Sequence, residues 1–456
     1  MVTRADIERP PGPNLSTLAA LRAFRSDRIG LLERTARDYG DIAYVRLGRF
    51  QVYFLGHPDY VKDVLVTHSH RFMKGQTMQE AKRMLGESLL TSEGEVHKRQ
   101  RRLIQPIFHH ERITGYGEVM VAHATRTADR WVDGARVDMH REMTGLTLSI
   151  VGEALFGTDV EDADARAVGD AMTVMLSMFG RLFSPFAAVL ERLPLPSNRR
   201  FLRAQELLDR TIYRMIEERR ARGATGDDLL SMLLRAQDAE GAGGRMNDGQ
   251  VRDEAMTLFL AGHETTANAL AWTWQSLSEN QEAEAGLHAE LDRVLDGRTP
   301  TAADIPNLPF TEMVLLESMR VRPPAWAIGR RTLVDHEVGG YLIPDGSIVV
   351  VSPYVMHHDA RWYSEPAAFR PERWTAEKRA ARPRYSYFPF GAGPRQCIGE
   401  SFARMEAVLL IATLAQRWRM RPVPGHRVGL DPVITLRPKS GMPMTLQQRA
   451  SARGAA

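Results

Sequence analysis

Apolar positions recur at helical spacing along most of this chain, and the stretches between them break at glycine or proline. Leu18 to Tyr39 predicts one helix stopped by Gly40. Asp41–Leu47 and Gln51–Leu55 alternate about Gly48-Arg49 and predict a β-hairpin, after which Pro58 opens a short helix to about Val66. From Phe72 to Leu90 the periodicity is poor, with Met73, Met78, Met84, Leu85, Leu89 and Leu90 scattered among polar residues, which predicts a long irregular loop. Helical spacing returns over Gly94–Phe108, Met143–Phe156 and the Met- and Phe-rich Ala165–Arg192, then breaks at Leu193-Pro-Leu-Pro196. Phe201–Arg222 predicts a basic helix, and Glu240–Asn247 a surface loop without the features of a phosphate cradle. The longest pattern runs from Gln250 to Asn280, capped by Asn247 or Asp248; Leu308–Arg320 and Glu400–Leu414 follow. Val338–Tyr341 and Ser347–Val351 predict strands, and Val433–Leu436 with Met442–Leu446 a closing hairpin. The proline-rich residues 1–13 predict an extended lead-in, and Gln447–Ala456 a disordered tail. The expected fold class is mainly α with small β-sheets, in a single domain over 1–456.

Composition narrows the partners. The 456 residues are 43% hydrophobic and 25% charged, ordinary for a soluble globular chain, with a formal net charge of +4. No basic run is interleaved with aromatics, so nucleic acid is not an expected partner. No stretch offers about 18 uncharged apolar residues, so no membrane anchor is expected, and the charged start lacks the apolar core of a signal peptide. The single cysteine excludes an internal disulfide and suits a reducing, cytoplasmic setting.

That cysteine is the centre of the candidate chemistry. Cys397 lies in Phe390-Gly-Ala-Gly-Pro-Arg-Gln-Cys-Ile-Gly399, just before an apolar helix pattern. Gly391, Gly393 and Gly399 permit positive φ and close approach of a flat partner, and a helix start beyond Cys397 favours thiolate over thiol. Arg395 can pair with an acidic group of whatever the thiolate holds. Elsewhere, Leu260-Ala261-Gly262-His263-Glu264-Thr265-Thr266 sets glycine, an acid and two threonines inside an apolar helix, where they cost helix stability and invite back-bonding and bending. His97 and Arg101 are four apart and share a helix face, within a basic run that alone reads as a solvated face. Glu317 and Arg320 are adjacent on a helix, a weak pattern by itself.

Phe-Gly-x-Gly-x-Arg-x-Cys-x-Gly is complete here and resembles the haem-ligand loop of the cytochrome P450 family. The resemblance extends to Ala-Gly-His-Glu-Thr-Thr, to Glu317-x-x-Arg320 and to Pro371-Glu-Arg373-Trp374, in the family's order. It implies haem b between the Gln250–Asn280 helix and the Cys397 loop, with Cys397 as the iron ligand and Phe390, Gly391 and Gly399 shaping the loop. It implies propionate contacts from Arg101, Arg395 and His97, and from Arg330 unless the register gives that role to Arg331. Ala261 and Gly262 would leave room over the iron, Glu264 and Thr265 would supply protons for O–O cleavage, and Glu317, Arg320 and Arg373 would form a buried structural network. Met78, Leu89, Phe179 and Phe183 would line the substrate pocket, with Phe259, Trp326 and Val433. The implied enzyme is a monomeric monooxygenase inserting one oxygen atom of O2 into an apolar small molecule, a terpenoid before a fatty-acyl, macrolide or steroid-like one. No flavin or nicotinamide fingerprint occurs, so electrons would come from a ferredoxin or flavodoxin-type donor with its reductase, steered by Lys98, Arg99 and Arg102. The competing readings are an electron-independent haem-thiolate peroxygenase or isomerase, and a haem sensor.

Overall fold

A computed structural model describes residues 9–157, 162–182, 193–224, 226, 228–235 and 246–449. They form two compact units, one of Met1–Gln79, Met319–Phe369 and Arg373–Cys397, the other of Glu80–Ser318, Arg370–Glu372 and Ile398–Ala456.

The first unit is built on a five-stranded sheet with neighbours in the order Ile42–Leu47, Phe50–Leu55, Ile348–Val351, Ile328–Thr332, Phe72–Lys74. The predicted hairpin forms, with Leu47 opposite Phe50, and Phe50–Leu55 also runs parallel to Ile348–Val351. Tyr53, Leu55, Val349 and Val351 bury one apolar face together with Val61, Val64 and Leu65. The lead-in is fastened to this sheet: Tyr44 N–H donates to Pro11 O at 2.9 Å. Two expectations are corrected. Leu18–Tyr39 is not one helix but two, Thr17–Ser26 and Arg28–Tyr39, because the Asp27 carboxylate accepts from Gly30 N–H and caps the second. Val338–Tyr341 is not a strand but a turn, with Gly339 and Gly340 at φ 57° and 80° between His336–Val338 and Tyr341–Ile343.

The second unit is helical. Its longest helix, Asp248–Glu279, is capped by Asn247, with Gln250 completing a capping box. It packs on Met139–Phe156, where Thr147 Oγ1 donates to His263 O at 3.1 Å. Glu400–Ala415 is buried from Met405 to its end. The stretch after Phe72 is less irregular than expected, folding into Phe72–Lys74, Gln76–Glu80 and Lys82–Leu85. The closing hairpin is a second correction of pairing: Pro443–Gln448 joins Trp418–Pro422 and Arg136–Asp138, while Leu436–Lys439 pairs with Gly429–Pro432. Gln447 and Gln448 therefore belong to a strand, and Arg449 N–H reaches Arg417 O at 2.8 Å, so the tail does not begin at 447. The Met- and Phe-rich helix is Asp162–Leu182; Phe183 lies outside the described residues, as does most of 240–247. No helix among the described residues is long and apolar enough to cross a membrane.

Candidate active site

In the first unit Cys397 is exposed and forms no disulfide. Its N–H donates to Phe390 O at 2.9 Å, which folds the loop back on itself, and Gly391 N–H donates to Phe388 O at 2.9 Å. Gly391 and Gly393 have φ of 72° and 70°, as expected. Gly393 has a second reason to lack a side chain: a Cβ there would lie 2.0 Å from Leu65 O. Gly399, by contrast, has φ −90° as the N-cap of Glu400–Ala415, so no left-handed conformation requires glycine there. Arg395 closes the turn Gly393–Arg395, and both it and Phe390 are half-buried.

The scaffold behind this loop is a chain of hydrogen bonds. Arg320 is fully buried and donates to His357 O at 2.9 Å, Pro366 O at 2.7 Å and Ala368 O at 3.0 Å. Burial holds the His357 imidazole well below its ordinary pKa, so the ring is neutral and its Nε2 accepts from Phe388 N–H at 3.1 Å. Phe388 O in turn receives Gly391 N–H. Arg373 donates to Glu365 O at 2.8 Å. In the second unit Glu317, also fully buried, accepts Arg370 N–H at 2.8 Å. Arg330 and Arg331 alternate on their strand; Arg330 is half-buried and Arg331 exposed. Trp326 is buried and Met78 half-buried.

In the second unit the centre of Asp248–Glu279 carries the anomalies the sequence shows. Thr265 Oγ1 donates to Ala261 O at 2.9 Å and Thr266 Oγ1 to Gly262 O at 3.2 Å, the back-bonding expected of helical threonines; Thr266 is buried and Thr265 half-buried. Ala261 is exposed although its helix is buried on either side. Gly262 serves packing: a Cβ would meet Val151 Cγ2 at 3.2 Å. Glu264 is buried, and among the described residues its polar contacts all fall on Oε1: Thr435 Oγ1 at 2.9 Å, Asn268 Nδ2 at 3.3 Å and Arg437 Nε at 3.8 Å. His140 Nε2 joins through Asn268 Oδ1 at 3.0 Å, with burial pushing its pKa down against the pull of Glu264. Sequence reasoning missed Asn268, Thr435, Arg437 and His140; only Asn268, four residues after Glu264 on the same helix face, carried a local signal.

His97 is buried with Arg101 half-buried one turn on, and Lys98 and Arg102 are exposed. Arg99 is half-buried rather than outward. Leu89 and Phe259 are buried and Val433 is half-buried in a turn. The loop holding Leu89 is fastened to the long helix by an acid the sequence did not flag: Leu89 N–H donates to both Glu254 oxygens at 3.1 and 3.0 Å. Burial raises the Glu254 pKa to about 8. Phe179 lies on Asp162–Leu182, but its side chain is outside the described residues.

The fold matches the haem domain of cytochrome P450DA, with a TM-score of 0.88 over 98% of this chain and 99% of that one at 24% sequence identity. The cytochrome P450 family profile matches residues 10–442, and the chain belongs to that family. It is 42% identical to cyclooctatin synthase of Streptomyces melanosporofaciens over 87% of both chains. It is 39% identical to cyclooctat-9-en-7-ol 5-monooxygenase of the same organism, over 85% of this chain and 84% of that one. Pentalenene oxygenase of Streptomyces avermitilis is 36% identical over 85% of both. The protein is accordingly a P450 monooxygenase, using haem, O2 and redox partners on a small molecule.

Proposed function

We propose that this enzyme oxygenates a cyclic terpenoid hydrocarbon or alcohol, with Cys397 holding haem b. The observation that carries the haem assignment is the exposed Cys397 thiol in a loop whose Gly391 and Gly393 adopt positive φ, a backbone suited to close approach of a flat group. Half-buried Arg101, Arg395 and Arg330, with His97, supply donors suited to two propionates. The haem supplies O2 activation, with thiolate electron donation favouring O–O cleavage. The protein supplies protons, orientation and exclusion of water. Glu264 is the proton carrier in this reading: its contacts all fall on Oε1, which leaves Oε2 to take and release a proton, and the Thr265 hydroxyl passes it on. Glu317, Arg320 and Arg373 are structural. The terpenoid assignment follows from the names of the relatives above and from the apolar residues Leu89, Phe259 and Trp326. A ferredoxin or flavodoxin-type donor with its reductase docks on the face carrying Lys98 and Arg102, and the working form is a cytoplasmic monomer.

The test is the absorption spectrum of the dithionite-reduced protein with carbon monoxide, followed by terpenoid titrations. A strongly red-shifted Soret band that Cys397→His moves to the position of histidine-ligated haem is expected, with substrate-induced spin-state shifts. A histidine-type band in the wild type removes Cys397 as ligand; spin shifts with steroids or fatty acids but not terpenoids remove the substrate class.

A further inference from the structure

We propose that Asp63, His68 and His336 bind a divalent transition-metal cation, with Zn2+ the best match. The three belong to the first unit and have no part in the haem chemistry above. Their meeting depends on a local irregularity. The helix Pro58–Lys62 widens into a π-turn over Asp63–Thr67, closed by His68 N–H donating to Asp63 O at 2.8 Å. A turn of that width aligns residues five apart, so Asp63 and His68 share a face that an α-helix would not give them. His336, on the strand His336–Val338, completes the group.

Asp63 Oδ1 lies 2.5 Å from His68 Nδ1, and Asp63 Oδ2 lies 2.6 Å from His336 Nε2. The imidazole centroids are 5.2 Å apart, and one ligand atom from each residue falls within 4.8 Å of the others. Two imidazoles and one carboxylate make the borderline donor set that suits Zn2+ over Ca2+ or Mg2+, and three protein ligands leave a position for water. Zn2+ bonds of about 2.0–2.1 Å at tetrahedral angles place ligand atoms roughly 3.4 Å apart, so the two imidazole nitrogens and one Asp63 oxygen need only small shifts within the 4.8 Å they now span.

Charge argues the same way. Among the described residues, no lysine or arginine pairs with Asp63; its ion-pair partners are the two histidines, which carry no obligatory positive charge. A dication supplies the balance. The side chains of His68 and Asp63 are 36% and 22% exposed while that of His336 is 1% exposed, so a cation can enter from solvent and meet a fixed ring. That ring is wedged edge-on against Phe72 at 4.9 Å, and its Nδ1 meets no hydrogen-bond partner. The Asp63 carboxylate therefore holds the metal-free proton on Nε2, and no bond at Nδ1 opposes its transfer there. Binding moves each imidazole proton to the other ring nitrogen, and the His336 N–H left without an acceptor keeps the affinity in the micromolar range. The bound cation would also stiffen the turn whose Leu65 carbonyl abuts Gly393.

The test is calorimetric titration of ZnCl2 into the chelator-stripped, haem-loaded full-length enzyme at pH 7.5, repeated on His68→Ala and Asp63→Asn. Because His68 is half-exposed, its variant keeps the fold, verified by an unchanged metal-free Tm and Soret spectrum. The expected result is one equivalent bound at micromolar Kd, weakened at least tenfold in both variants, with Zn2+ raising the Tm of wild type but not of His68→Ala. Absence of saturable binding, or an unchanged Kd in His68→Ala, overturns the proposal and leaves Asp63 as a hydrogen-bonded clamp between two histidines.

Discussion

Glu264 and Glu406 are both lone acids in the middle of buried helices, and they live in opposite surroundings. Glu264 gathers a hydroxyl, an amide and a guanidinium on one oxygen. Glu406 is fully buried with no charged partner among the described residues, and the Thr266 hydroxyl that eases its ionisation also donates to Gly262 O at 3.2 Å. Burial raises the Glu406 pKa to about 8, so it rests as a neutral carboxylic acid at pH 7. The difference is one of partners: three donors hold the Glu264 carboxyl in place, whereas the Glu406 carboxyl is governed chiefly by burial. Glu254 stands between them, with one backbone N–H shared across both oxygens and a pKa also near 8.

The comparison breaks first at Glu264. Glu264→Gln should lower product formation by about a hundredfold or more, the range for losing a positioned proton donor. Thr265→Ala should consume reducing equivalents without matching product; unchanged coupling in that variant would remove Thr265 from proton handling. Next, Arg437→Met should cut turnover by roughly tenfold at unchanged haem content and destabilise the fold by about 1–3 kcal/mol, since it strips a partner from a buried carboxylate. A variant with wild-type turnover would show that Thr435 and Asn268 suffice. The smallest effect falls on Glu406→Gln, which should leave turnover unchanged. A carboxyl whose folded pKa exceeds its unfolded one binds more protons folded than unfolded between those values, so it makes stability fall as pH rises from about 4.5 to about 8. Glu406→Gln should flatten that slope, seen as a Tm difference from wild type that grows in the variant's favour from pH 5 to pH 8. A difference independent of pH would mean Glu406 is ionised throughout.

What was legible in the sequence was what local spacing encodes. The Asn247 cap, the Phe390–Gly399 loop, the first hairpin and the back-bonding threonines all follow from residues within a few positions of one another. The surroundings of Glu264 did not, because His140, Thr435 and Arg437 come from segments more than a hundred residues away. Mistaken boundaries have similarly physical origins. Asp27 is unexceptional on a helix surface until its carboxylate turns to cap Gly30 N–H. The apolar residues flanking Gly339-Gly340 imitate strand alternation, while the glycine pair itself makes the turn. Met442–Leu446 lay nearest in sequence to Val433–Leu436, yet the backbone donors of the final strand found 418–422 and 136–138 instead.

The contact between Gly393 and Leu65 bears on how the neighbourhood of Cys397 can be re-engineered. At position 391 an added methyl would meet only Ile328 Cδ1, at 3.7 Å, among the protein's own atoms, so what asks for glycine there is the positive φ and the close approach of the haem. At position 393 the obstruction is main chain, with Leu65 O at 2.0 Å and Val66 Cα at 3.2 Å, and no choice of rotamer escapes it. Selection schemes that diversify this loop should hold codon 393 constant and spend their diversity elsewhere.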